Sequence, residues 1–121
     1  MNVLHIDDSA EICELYSDMF VADNNFIKSV NNGKEGLDLV IKNNYDLILL
    51  DMCMPNYNGL DFLRDLKLLR PSELKKIVVV SVLKFDENQI KELLEYGVHS
   101  VEVKPSNFKS LEDIQKGISL K

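Results

Sequence analysis

The residues of this chain able to do chemistry sit where apolar runs end. Val3-Leu4-His5-Ile6 leads into Asp7-Asp8, and Leu47-Ile48-Leu49-Leu50 leads into Asp51. Ile77-Val78-Val79-Val80 leads into Ser81, and Ser100-Val101-Glu102-Val103 leads into Lys104-Pro105. An apolar run that stops at a polar residue ahead of a turn is how a buried strand leaves a sheet, and Met54-Pro55-Asn56-Tyr57-Asn58-Gly59 after Asp51 is such a turn. In an open parallel sheet these exits gather at one rim, where ligands bind. Three carboxylates, a hydroxyl and an amine on one rim make a site for a metal ion and a phosphoryl group, with the Asp51 oxygens expected to face solvent.

Each residue type has its reason. Two carboxylates ~4 Å apart repel by about 4 kcal/mol at an effective dielectric near ~20, which raises the pKa of one of them. A hard divalent cation relieves that repulsion, and carboxylate oxygens with a backbone carbonyl and waters suit Mg²⁺. Asp51 is the natural nucleophile, because an aspartate accepts a phosphoryl group as an acyl phosphate. Lys104, whose backbone Pro105 pushes away from the helical region, supplies a point positive charge, and Ser81 a hydroxyl for a phosphoryl oxygen. Offsetting charge on the transferring group is most of what such catalysis requires. A single acid, serine or lysine at a strand end is ordinarily just solvated; the coincidence of three acids at matching strand ends points to a site.

The elements that must position these residues follow from periodicity. Strand-like runs alternate with helical ones along the whole chain, the pattern of an α/β parallel sheet. Strands are expected at Asn2–Ile6, Phe26–Val30, 46–50, 77–80 and Ser100–Val103. The first, third and fourth are continuously apolar, as strands covered on both faces are. The first helix, Ala10–Ala22, carries Ile12, Leu15, Tyr16, Met19 and Phe20, and Asp8 with Glu11 has capping-box spacing. A second, 34–42, follows an Asn31-Asn32-Gly33 turn and buries Leu37, Val40 and Ile41. A third starts at Leu60, buries Phe62, Leu63, Leu66 and Leu69, and stops at Pro71. A fourth, 87–96, buries Ile90, Leu93 and Leu94 and ends at Gly97. The last carries Phe108, Leu111, Ile114 and Ile118. Right-handed crossovers then give five parallel strands in the flavodoxin-like order 2-1-3-4-5 with helices on both faces.

Length and composition bound the function. The 121 residues are one domain's worth, 45% hydrophobic and 28% charged. No apolar run approaches the roughly 20 residues of a membrane span, and the start lacks a secretory pattern, so a cytoplasmic location is expected. Fourteen basic against twenty acidic residues give a net charge of −6, which argues against this domain holding nucleic acid by itself. Cys13 and Cys53 have no ligand or disulfide spacing, and Cys13 is expected to pack. His5 reads as a packed or hydrogen-bonded strand residue and His99 as exposed; neither has a metal-ligand spacing.

The chain resembles, from end to end, the response-regulator receiver domain of two-component signalling. The resemblance lies in Asp7-Asp8, Asp51 with Met54-Pro55 and Gly59, Ser81, and Lys104-Pro105, in that order and at these spacings. It implies that Asp51 is the phosphoacceptor, that Asp8, Asp51 and the Cys53 backbone carbonyl bind Mg²⁺ directly, and that Asp7 acts through water. Ser81 and Lys104 would contact the phosphoryl group. The implied donor is a sensor histidine kinase or a histidine phosphotransfer protein, and the implied output is a protein bound through the fourth helix, fifth strand and fifth helix. The chain stops at Lys121, just after the last helical run, and is read as a stand-alone receiver; the alternative is a receiver cut from a longer regulator.

Two positions depart from the family pattern. Val101 stands where receivers usually carry Tyr or Phe, and Val82 follows Ser81 where a small residue is common. A β-branched aliphatic has little rotamer freedom, so signalling is expected to run through Ser81 and the 82–86 loop, with Phe85 as the aromatic. A phosphohydrolase using Asp51 for turnover would want an acid two residues on, where Cys53 stands. A receiver-like module that signals without phosphate is a third possibility. Cys53 and Leu83 are expected to flank the path of attacking water and slow loss of the acyl phosphate.

Overall fold

A computed structural model describes residues 1–82 and 84–103 of the protein. In chain order these form β1 (Asn2–Ile6), α1 (Ala10–Ala22), β2 (Phe26–Val30), α2 (Gly33–Lys42), β3 (Leu47–Asp51), α3 (Gly59–Leu69), a 3-10 segment (Pro71–Lys76), β4 (Ile77–Ser81), α4 (Glu87–Glu95) and β5 (Ser100–Val103). The strands pair in parallel in the order β2-β1-β3-β4-β5, as expected. The last helical run, with Phe108, Leu111, Ile114 and Ile118, lies outside the described residues.

Alternation along each strand splits the apolar runs into two cores. Leu4, Ile6, Ile48, Leu50, Ile77 and Val79 face α2 and α3, meeting Leu37, Val40, Phe62, Leu63 and Leu66, with Leu93 of α4 in the same cluster. Val3, Leu47, Leu49, Val78 and Val80 face the other way, against Tyr16 and Phe20 of α1. Every residue of β3 and β4 is buried, so both sheet faces are covered and the strands read as unbroken apolar runs.

The structure corrects several local expectations. Ser9, not Asp8, caps α1: its hydroxyl accepts from the Ile12 N–H at 3.4 Å. The helix starts one residue later than the Asp8–Glu11 spacing suggests, which leaves the Asp8 carboxylate available to the rim. Asn58 and Asp61 make a reciprocal capping box on α3, as Asp86 and Gln89 do on α4. Leu69 is 57% and Leu94 45% exposed; Leu66 fills the core beneath the end of α3, and Leu93 alone among the residues of α4 is buried. Gly97, at φ +102°, follows α4 in the left-handed conformation expected of it. His99 is half-buried rather than exposed, its Nδ1 3.3 Å from the Ser100 hydroxyl.

The 3-10 segment was not foreseen. It carries Glu73, 5% exposed, whose carboxylate lies 3.1 Å from Arg70 Nη2 and also contacts the Lys76 ammonium. Arg70 Nη1 in turn donates to the Ile41 carbonyl at 2.9 Å, tying the end of α2 to the approach to β4.

Candidate functional site

β1 carries Asp7 to the rim and holds it there. The Asp7 N–H donates to the Val30 carbonyl at 3.0 Å, so pairing with β2 continues one residue past the strand. Asp7 is 1% exposed and Asp51 3%, whereas Asp8 is exposed. The expectation that Asp51 would turn its oxygens to solvent is therefore corrected: it is the last residue of β3, in register with Val80, and is covered. One oxygen from each of Asp7, Asp8 and Asp51 falls within 4.8 Å of the others.

Backbone N–H groups orient the two buried carboxylates. Asp7 Oδ1 accepts from the Ser9 N–H at 2.9 Å, and Asp51 Oδ1 from the Cys53 N–H at 3.1 Å. Three carboxylates with oxygen atoms this close favour a cation between them. All are hard donors, the chemistry that Mg²⁺ takes, so the residues present fit that ion.

The loop after β3 is held shut by close packing. A Cβ on Gly59 would stand 2.8 Å from Met52 Cα and 2.9 Å from the Asp51 carbonyl oxygen, so only glycine lets α3 start this near the acid. Asn56 takes the left-handed conformation, φ +68°, inside the loop. Tyr57 then reaches over to α3, where its hydroxyl donates to the Asp65 carboxylate, and the Lys34 ammonium of α2 sits 4.7 Å above its ring. Burial first, then the Asp65 hydrogen bond and charge, push the Tyr57 phenol well above its ordinary range. Sequence reasoning passed over this clamp, although Tyr57, Asp61 and Asp65 at spacings of four were a visible sign.

Ser81 ends β4, fully buried, in register with Val103, the residue before Lys104. Lys104 and Leu83 lie outside the described residues. The Cys53 side chain is exposed, and Cys13 Sγ donates to the Asp7 carbonyl at 3.4 Å. Phe85 and Val101 are both half-buried and pack against the α2–α3 core. His5 is a packed strand residue, as its place in the first apolar run implies: it is 1% exposed, its ring centroid 4.9 Å from that of Tyr16. Its Nε2 also lies 3.5 Å from Asp7 Oδ2. No helix among the described residues is long and apolar enough to cross a membrane.

Known proteins share this fold. A sequence profile of the response regulator receiver domain matches residues 3–116. Response regulator ArlR of Staphylococcus haemolyticus is 30% identical over 110 residues, covering 91% of this chain and 48% of ArlR. ArlR of Staphylococcus saprophyticus is 36% identical over 80 residues, 66% of this chain and 34% of its own length. The chain thus spans about half the length, or less, of the curated relatives it matches. Among solved structures, the Francisella response regulator 1452 receiver domain superposes with a TM-score of 0.83 at 27% identity, over 97% of this chain and 94% of that one. The BeF3-activated receiver domain of Klebsiella pneumoniae RstA matches in fold, with a TM-score of 0.87 at 18% identity over 100% of both chains. A profile spanning nearly the whole sequence, a matching five-stranded sheet and an acidic cluster at its rim agree: the chain belongs to the response regulator receiver domain family of two-component signalling.

Proposed function

We propose that the protein is a Mg²⁺-dependent phosphoacceptor that takes a phosphoryl group from a phosphohistidine onto Asp51. The observation that carries this reading is the convergence of Asp7, Asp8 and Asp51 within 4.8 Å at the carboxyl ends of β1 and β3. An oxygen of Asp51 attacks phosphorus as the bond from phosphorus to the donor imidazole nitrogen breaks and leaves its electron pair on that nitrogen; with a proton already on the donor ring's other nitrogen, the products are an acyl phosphate and a neutral imidazole. Asp8, Asp51 and the Cys53 carbonyl would hold Mg²⁺, with Asp7 acting through water. The ion, when bound, offsets negative charge on the transferring oxygens. The Cys53 N–H keeps Asp51 Oδ1 engaged, and the shut loop limits the freedom of the nucleophile. Ser81 and Lys104 would each take a phosphoryl oxygen; that Val103 is in register with Ser81 supports their being neighbours.

The donor in this reading is a sensor histidine kinase or a histidine phosphotransfer protein. The output is a change in protein binding at the face of α4, β5 and the final helix, whose residues lie outside those described. With Val101 and Val82 in place, Ser81 and the 82–86 loop would carry the change, and the half-buried Phe85 supplies the aromatic side chain. The protein is a self-modifying switch rather than a turnover enzyme, and residues 1–121 act as one receiver. A second reading, the receiver portion of a longer regulator, is favoured by the ArlR relatives, of which the chain spans about half.

The test is incubation with acetyl phosphate and Mg²⁺, followed by intact-mass measurement. Wild type gains one phosphoryl group, and Asp51→Asn gains none. A wild-type mass that never changes, with this donor or with a phosphorylated kinase, overturns the reading.

A further inference from the structure

We propose that His5 is a positioning residue for the acidic rim, fixing the Asp7 carboxylate so that the site binds its divalent cation tightly. This rests on the metal reading of Asp7 above. Residues two apart on a strand share a face, so Val3, His5 and Asp7 project in turn toward α1. Val3 belongs to the apolar cluster on that side, and His5 lies against the Tyr16 ring, 1% exposed. In the sheet its neighbours are Ser29 of β2 and Leu49 of β3. Among the described residues neither ring nitrogen of His5 makes a hydrogen bond. Burying an imidazole in that state is costly, and an aliphatic residue would fill the space without the cost. What the imidazole adds is its approach to Asp7, with Nε2 3.5 Å from Oδ2 and both side chains buried.

The two Asp7 oxygens are thereby addressed from different sides. Oδ1 accepts from the Ser9 N–H of the β1–α1 turn at 2.9 Å, and Oδ2 faces His5 from within the strand. A carboxylate hydrogen-bonded at one oxygen and faced at 3.5 Å by an imidazole at the other is restricted in orientation, and the field of an N–H dipole is strong where water is excluded even short of a hydrogen bond. Partners of this outer kind set the geometry and basicity of metal-site carboxylates. The contact needs only the Nε2–H tautomer, not a charged ring.

Mn²⁺ binding followed by electron paramagnetic resonance, without any phosphoryl donor, tests the role. His5→Phe keeps a ring against Tyr16 but has no donor; His5→Gln keeps a donor close to the position of Nε2. The expected result is binding weakened about tenfold or more in His5→Phe, the range seen for outer partners, with His5→Gln recovering most of the loss. His5→Leu is read in the same way should His5→Phe not fold, as judged by circular dichroism. Wild-type affinity in the apolar variants overturns the proposal, and so does equal weakening in His5→Phe and His5→Gln, which would make the ring a packing element. Wild type that binds no Mn²⁺, or Asp51→Asn that binds it as well as wild type, overturns instead the metal reading itself and this inference with it.

Discussion

Acid is buried at both ends of the sheet, in two different arrangements. Leading into β4, Glu73 is 5% exposed and lies between Arg70 and Lys76, an acid surrounded by cations of its own neighbourhood. At the carboxyl ends of β1 and β3, Asp7 and Asp51 are as deeply covered, yet they converge on each other and on Asp8. The first arrangement is complete within a stretch of seven residues and serves to join α2, α3 and β4. The second concentrates like charge, which a fold does only at a cost in stability. Burial of acid is therefore not what distinguishes the rim; the convergence of three acids on one point is.

That contrast can be broken by mutation. The largest effect is expected at Glu73, since removing one member of a buried pair leaves its partners uncompensated. With Arg70 39% and Lys76 25% exposed at the side chain, solvent screens part of the loss, and Glu73→Ala should lower stability by about 2 kcal/mol, read by urea denaturation. At the rim the sign reverses. Asp8→Asn removes one of three converging charges from an exposed position, so without metal it should stabilise, by about 0.5 kcal/mol. The same variant should lose most of the rise in Tm that Mg²⁺ gives wild type. Destabilisation of metal-free Asp8→Asn would mean that the rim acids are structural in the manner of Glu73.

The smallest effect sharpens a third case. Among the described residues Asp65 pairs with the Tyr57 hydroxyl rather than with a cation. The Tyr57 phenol is raised in the folded state, whereas an unfolded tyrosine ionises near ~10. Above that pH the unfolded chain releases its proton first, so the stabilisation is full below ~10 and is lost as pH rises beyond it. Tyr45, raised by burial, adds to the same slope. Thermal melts across this range should show a shallower loss for Tyr57→Phe than for wild type, with Tyr45 supplying what remains. An unchanged slope would remove Tyr57 from the account.

How much of this was legible beforehand depends on distance along the chain. The strand exits could be read because an apolar run turns to Asp or Ser within one residue, and β1, α1, β2 and β5 have the bounds that the runs suggest. The convergence of Asp7, Asp8 and Asp51 followed from a parallel sheet order. What could not be read was cover. Asp51 looks solvent-facing in a sequence, yet it is 3% exposed, because what covers a strand end comes from residues distant in the chain. Glu73 reads as one charge in a polar stretch, because nothing local says that Arg70 and Lys76 fold onto it. Capping failed by one residue: Asp8 and Ser9 are both good caps, and the choice between them is made by the position of α1 on the sheet.

Helices α2 and α3 begin alike. Both helices open on Asn-Gly, with Asn32 and Asn58 as caps and glycines that cannot be enlarged: a Cβ on Gly33 would lie 2.5 Å from Tyr57 Cδ1, and Gly59 is hemmed in by backbone. Asn-Gly is the pair most given to spontaneous succinimide formation, so long storage tends to erode it. The usual remedy, changing the glycine, is closed in this protein. A preparation meant to last must instead carry serine at 32 and 58, which keeps an acceptor for the first-turn amides and has no side-chain carbonyl for the glycine nitrogen to attack.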